Sequence, residues 1–86
     1  MDTRVAVLAI IVEQPDAVER LNCLLHEYGE YIIGRMGIPY KTKGINIVSV
    51  AVDAPQNTIS SLAGKLGKIS GISVKTAYSN VICQNE

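Results

Sequence analysis

The feature that most constrains this chain is the run Val5-Ala6-Val7-Leu8-Ala9-Ile10-Ile11-Val12, eight aliphatic residues with no polar one among them. β-branched side chains crowd a helix and suit a pleated strand, and a strand covered on one face alternates apolar with polar. This run does not alternate, so it predicts a central strand with apolar surroundings on both faces. It is far shorter than the roughly 20 residues a membrane-spanning helix needs. Its flanks, Met1-Asp2-Thr3-Arg4 and Glu13-Gln14-Pro15-Asp16, carry no small-residue cleavage site of a secretory signal. A cytoplasmic protein with no membrane partner is expected. In that compartment Cys23 and Cys83, far apart and without a disulfide framework, read as reduced thiols.

The rest of the chain supplies partners for that strand. Glu13-Gln14-Pro15-Asp16 is a helix start, with Pro15 near the first helical position and Asp16 and Glu19 at the positive end of the helix dipole. Ala17, Val18, Leu21, Leu24, Leu25 and Tyr28 then recur at three and four, one arc of a helix that runs to about Tyr28 and stops at Gly29. Residues 31–40 contain two glycines and a proline, the signature of a bulged or edge strand. The polar turn Lys41-Thr42-Lys43-Gly44 leads into Ile45–Val52, so the pair reads as a hairpin. Asp53-Ala54-Pro55-Gln56 repeats the helix-start signal, and Ile59, Leu62, Ala63, Leu66 and Ile69 continue at helical spacing. Gly64 inside that helix suggests a close backbone approach, and Gly67 is read as its C-cap. After Gly71, residues 72–78 alternate like an edge strand.

The order β-α-β-β-α-β is the ferredoxin-like α+β pattern, an antiparallel sheet with two helices on one face. Residues 1–78 form this one domain and 79–86 a C-terminal tail. Right-handed crossovers put the first and third strands at the centre. One face of the sheet then faces water, yet Val5, Val7, Ala9 and Ile11 point one way while Ala6, Leu8, Ile10 and Val12 point the other. In the third strand Ile45, Ile47 and Ala51 oppose Val48, Val50 and Val52. A monomer would expose a contiguous apolar sheet surface of the kind that marks a partner site. A homo-oligomer, dimer or tetramer, with that face buried is expected; the competing expectation is that Val81 and Ile82 of the tail fold back over it.

Composition narrows the function. The chain has 86 residues, 48% hydrophobic and 19% charged, and eight Lys plus Arg cancel eight Asp plus Glu. No net field draws it to nucleic acid. RNA-recognition modules of this strand order stack bases on aromatic side chains of the central strands, and here those strands contain none. Metal chaperones on this scaffold place Cys-x-x-Cys after the first strand, where this chain has Glu13-Gln14-Pro15-Asp16.

Cys23 and His26, spaced i, i+3, fall outside the apolar arc of the first helix. Two ligands do not close a transition-metal site, and no acid stands at a telling spacing to orient a Cys–His nucleophile; Glu27 and Glu30 read as solvated residues at the helix end. No catalytic residue, metal or cofactor is assigned. Arg35, Lys41 and Lys43 form a basic cluster on the hairpin, read as protection of a sheet edge. Gly34, Gly37 and Gly44 lack the spacing and strand-to-helix context of a phosphate loop.

The run Leu62-Ala-Gly-Lys-Leu-Gly-Lys-Ile-Ser-Gly-Ile-Ser-Val-Lys75, with Val5-Ala-Val-Leu-Ala-Ile-Ile-Val-Glu13 and Ile33-Gly-Arg-Met-Gly-Ile-Pro-Tyr40, resembles the family of iron-only hydrogenase system regulators up to about Thr76. Members look like stand-alone ACT-type domains, similar to the effector-binding domain of nickel-responsive repressors. The resemblance implies a regulator, transcriptional or otherwise, of the hydrogenase system, and it supplies no ligand or catalytic residue. His26 alone does not reproduce the histidine set of the nickel-responsive domains, and Gln14-Pro15-Asp16 stands where amino-acid-binding ACT domains carry a glycine. The expected function is a non-enzymatic, oligomeric regulatory or sensor domain binding a small effector or a hydrogenase-maturation protein at a subunit interface. The alternative is a structural or assembly factor for hydrogenase maturation with no effector.

Overall fold

The computed structural model describes residues 2–81. The elements follow as β1 (Arg4–Val12), α1 (Ala17–Glu27), a single 3-10 turn (Gly29–Tyr31), β2 (Ile32–Tyr40), β3 (Ile45–Ala54), α2 (Gln56–Gly67) and β4 (Ile72–Tyr78). The strands lie in the order β2-β3-β1-β4, every neighbouring pair antiparallel. This is the ferredoxin-like βαββαβ architecture, with the two strands richest in Val and Ile at the centre.

Parity along the strands decides where the core sits. Ala6, Leu8, Ile10 and Val12 of β1 and Val48, Val50, Val52 and Ala54 of β3 point to the helices and are buried. Ala17, Leu21 and Leu25 of α1 and Ile59, Leu62 and Leu66 of α2 close over them, and Val18, Leu24 and Tyr28 complete the α1 arc as half-buried neighbours. Cys23 and His26 are exposed, as their place off that arc requires.

Several boundaries depart from the sequence reading for local reasons. The Ala17 amide donates to the Gln14 carbonyl at 3.0 Å and Val18 to Pro15 at 3.2 Å, so a tight turn occupies Pro15-Asp16 and the α-helix begins two residues after the proline. α1 ends at Glu27, and Gly29 opens the 3-10 turn that swings the chain into β2. Gly67 is not a C-cap: it is the last helical residue, and Lys68, in right-handed conformation, caps the helix. The left-handed glycine that ends this connection is Gly71, at φ +87°. Nor does Gly64 mark a close approach, since a methyl group placed on it would meet nothing within 4 Å.

Gly71 is where a close approach occurs. A side chain there would come within 2.8 Å of Gln14, whose aliphatic stem lies across the glycine, and the Glu13 amide donates to the Gly71 carbonyl at 2.7 Å. Those contacts seat the loop after β1 on the loop before β4. The opposite end of the sheet is tied by Arg4, which donates to Gln56 Oε1 at 2.7 Å and to the Ser79 carbonyl at 3.2 Å and lies 4.5 Å from the centre of the Tyr78 ring. Gln56 Nε2 in turn donates to Tyr78 Oη at 3.0 Å, so one polar network joins β1, α2 and the end of β4.

Candidate functional site

The second face of the sheet is uncovered, and it is apolar. Residues paired across antiparallel strands share a face, so the register gives its rows directly. Nearest the β2–β3 turn, Tyr40 stands beside Ile45. In the next row Ile38, Ile47 and Ile11 stand side by side with Ser73 at the β4 edge. One row on come Met36, Ser49, Ala9 and Lys75, and beyond them Gly34, Ala51, Val7 and Ala77. Val5 and Asp53 close the face. Met36 is 61% exposed and Ile38 49%, and Val5, Val7, Tyr40 and Ile47 are also open to solvent. Lys75 and Asp53 are the charged strand residues on this face.

β2 reaches this face only through a bulge. Ile32 pairs with Val52 on the helix side, whereas Gly34, two residues on, pairs with Ala51 on the open side. The extra residue, Ile33, is 63% exposed, and the shift sets the parity of Met36, Ile38 and Tyr40. Two glycines and a proline make a bulged or edge strand the expectation from sequence; they do not show where the bulge falls. Parity in the sequence places the patch on β1 and β3, and the bulge extends it onto β2.

Val81 does not cover the face: it is 82% exposed, and its amide donates to Ser79 Oγ at 3.0 Å in a short turn. Ile82 and Cys83 lie outside the described residues.

The polar candidates behave differently. Cys23 and His26 share the outer surface of α1 with Pro15, Val18, Glu19 and Asn22, an open hollow and not a closed pocket. Among the described residues no group of three potential metal ligands converges. Arg35 parts from Lys41 and Lys43: it pairs with Val50 on the helix side of the sheet, and its guanidinium donates to Asn22 Oδ1 of α1 at 3.0 Å. Six residues of extended chain put Lys41 about 20 Å further along the hairpin. The three are not one anion site, because alternation turns Arg35 toward a helix while the lysines remain at the turn.

A polar cluster that sequence spacing cannot reveal lies where α1 meets α2. Tyr28 Oη is 3.1 Å from Ser61 Oγ, and the Lys65 ammonium stands 5.3 Å from the centre of the Tyr28 ring. The bond to Ser61 and then the contact with Lys65 pull the Tyr28 hydroxyl below the usual tyrosine range, and the same contact holds Lys65 protonated above its own. Tyr31 lies on the other side, its ring centre 6.4 Å from that of Tyr28, and the Glu30 carboxylate beside it pushes its hydroxyl up. Tyr28, Glu30, Tyr31 and Ser61, with Asn57 and Thr58, line an open groove of about 450 Å³, and Lys65 lies outside it. The groove is polar and shallow, whereas the sheet face is broad and apolar, so the sheet face is the better candidate for a partner.

Comparison with known proteins bears on what such a chain does. The model of a family described as "TM1266-like: Iron-only hydrogenase system regulator, putative" matches residues 4–76. Among solved structures the chain is similar to the protein TM1266 from Thermotoga maritima, at 36% identity and a TM-score of 0.85, over 88% of this chain and 96% of that one. No curated protein matches. The match runs from the first residue of β1 to within two of the end of β4, and it takes in both the covered and the open face of the sheet. This chain belongs to the TM1266-like family of iron-only hydrogenase system regulators.

Proposed function

We propose that this chain is a non-enzymatic regulatory domain of the iron-only hydrogenase system, working as an oligomer and taking a small effector or a protein of that system where subunits meet. The observation that carries the reading is the open sheet face. Its isoleucines, valines, methionine and tyrosine face solvent in a single chain, and soluble monomers rarely leave a contiguous apolar patch of more than a few hundred Å² exposed. Membership of a family described as regulators supports the same reading. Balanced charge supports regulation through a partner over direct contact with DNA.

The test is a thermal-shift screen of the purified chain against amino acids, nucleotides, S-adenosylmethionine and divalent metals. A ligand that binds only the folded state raises apparent stability as RT ln(1 + [L]/Kd), so a sensor shows a saturable rise in Tm with one of them. A flat screen combined with co-purification of a hydrogenase-maturation protein moves the role to assembly. A flat screen with no co-purifying protein of the system sinks the regulatory reading.

A further inference from the structure

We infer that the open sheet face binds a second copy of this chain, with the strands of the two sheets opposed and the two-fold axis crossing the strands at the level of Ala9 and Ser49. The inference deepens the oligomeric part of the function proposed above and rests on it. It starts from the relief of the face. The row Ile38-Ile47-Ile11 carries three isoleucines, and in the row Gly34-Ala51-Val7 the β2 and β3 positions carry only a hydrogen and a methyl group, with the Met36-Ser49-Ala9 row between them. Ridge and hollow are therefore the same distance from the middle row, about 7 Å on either side.

A two-fold axis across the strands through the middle row exchanges the two. Ile38 of one copy then sits over Gly34 of the other and Ile47 over Ala51, so these two hollows each receive an isoleucine, while Ile11 packs on Val7 and Met36 on its own counterpart. An axis along the strands does the opposite: isoleucine meets isoleucine at one end, and glycine and alanine face each other across a void at the other. Overpacking and cavities both destabilise packed faces, so the first arrangement wins. Packed sheets align within about 30° of each other, so the twist shifts these positions without exchanging ridge for hollow.

Area points the same way. Four strands about 4.8 Å apart and about nine residues long give a face of roughly 19 by 30 Å, on the order of 500 Å² per copy. Two copies bury about 1,000 Å², the lower bound for a specific interface, before side-chain relief is added. Charge is the cost of this arrangement: Lys75 lies in the middle row, so the axis sets it against Lys75 of the second copy, a repulsion eased because both stand on the edge strand, where their long stems carry the ammonium groups past the rim to water, and Asp53 lies at the end of the face.

The test uses the full chain and three surface variants, Ile47→Asp, Ala51→Lys and Ile47→Lys, with circular dichroism to verify folding. The wild type is expected to sediment as two copies at micromolar concentration, and each variant alone as one. Mixing Ile47→Asp with Ala51→Lys is expected to restore the pair, because the opposed axis brings position 47 of one copy over 51 of the other, whereas mixing Ile47→Asp with Ile47→Lys restores nothing. A monomeric wild type overturns the proposal together with the oligomeric reading, and association that appears only after residues 82–86 are deleted makes the tail the occupant. A dimeric wild type in which only the Ile47→Asp and Ile47→Lys mixture pairs, or neither does, overturns the opposed arrangement and leaves the oligomeric reading standing.

Discussion

Two glycines show how much a single residue's surroundings decide. Gly71 is in the left-handed region at φ +87° and has the Gln14 stem 2.8 Å from where a Cβ would lie. Gly71→Ala is expected to cost about 1–3 kcal/mol in urea unfolding, the sum of backbone strain and a steric clash. Adding Gln14→Ala, which keeps only the Cβ, is expected to recover a minority of that loss, since the strain persists. Gly64, by contrast, sits inside α2 with open space around it. Gly64→Ala is expected to stabilise the chain by about 0.5–1 kcal/mol, because alanine orders at lower entropic cost in a helix. At the same scale, the Tyr28–Ser61–Lys65 contacts predict an early tyrosine in an alkaline titration. Phenolate absorbance should rise first from Tyr28, the step should vanish in Tyr28→Phe, and it should move to higher pH in Lys65→Met; an unchanged curve in Lys65→Met would show that the ammonium does not act on the ring.

Adjacent positions in β1 carry opposite duties, and the element scale is where they separate. Leu8 is fully buried under the helices, while Val7, its neighbour, is 39% exposed on the open face. Leu8→Ala is expected to lower stability by about 2–5 kcal/mol. Val7→Ala is expected to leave the unfolding free energy of dilute protein within about 0.5 kcal/mol of wild type and to weaken self-association measured by sedimentation. Equal losses of stability in the two variants would show that both faces are already covered within one chain. This duality was legible in the sequence, because parity in an unbroken aliphatic run assigns each residue to a face once the strand is granted. Less legible were the ends of the helices. The turn at Pro15-Asp16 and the cap at Lys68 depend on hydrogen bonds three residues apart that compete closely with helical ones. The β2 bulge was visible only as composition: its position at Ile33 is fixed by where Ile32 finds Val52 and Gly34 finds Ala51, which are partners on another strand. Arg35 parts from the lysines for the same reason: its parity follows from that bulge and turns it toward Asn22 of α1.

For the molecule as a whole, the apolar excess of the composition has a location: it lies on both faces of β1 and β3 and, past the bulge, on β2. Association driven by such a face should hold or strengthen as sulfate is added, since excluded salts favour apolar burial, whereas an interface built on Lys75 and Asp53 would weaken. The Arg4 network adds a consequence of a different kind. By tying Arg4 to the carbonyl of Ser79, it sets the start of β1 and the end of β4 side by side. A chain joined there by a short linker and reopened in the Lys41–Gly44 turn would run β3-α2-β4-β1-α1-β2. That is β-α-β-β-α-β once more, so the sheet itself sets no first half: either βαβ unit can lead the same strand order.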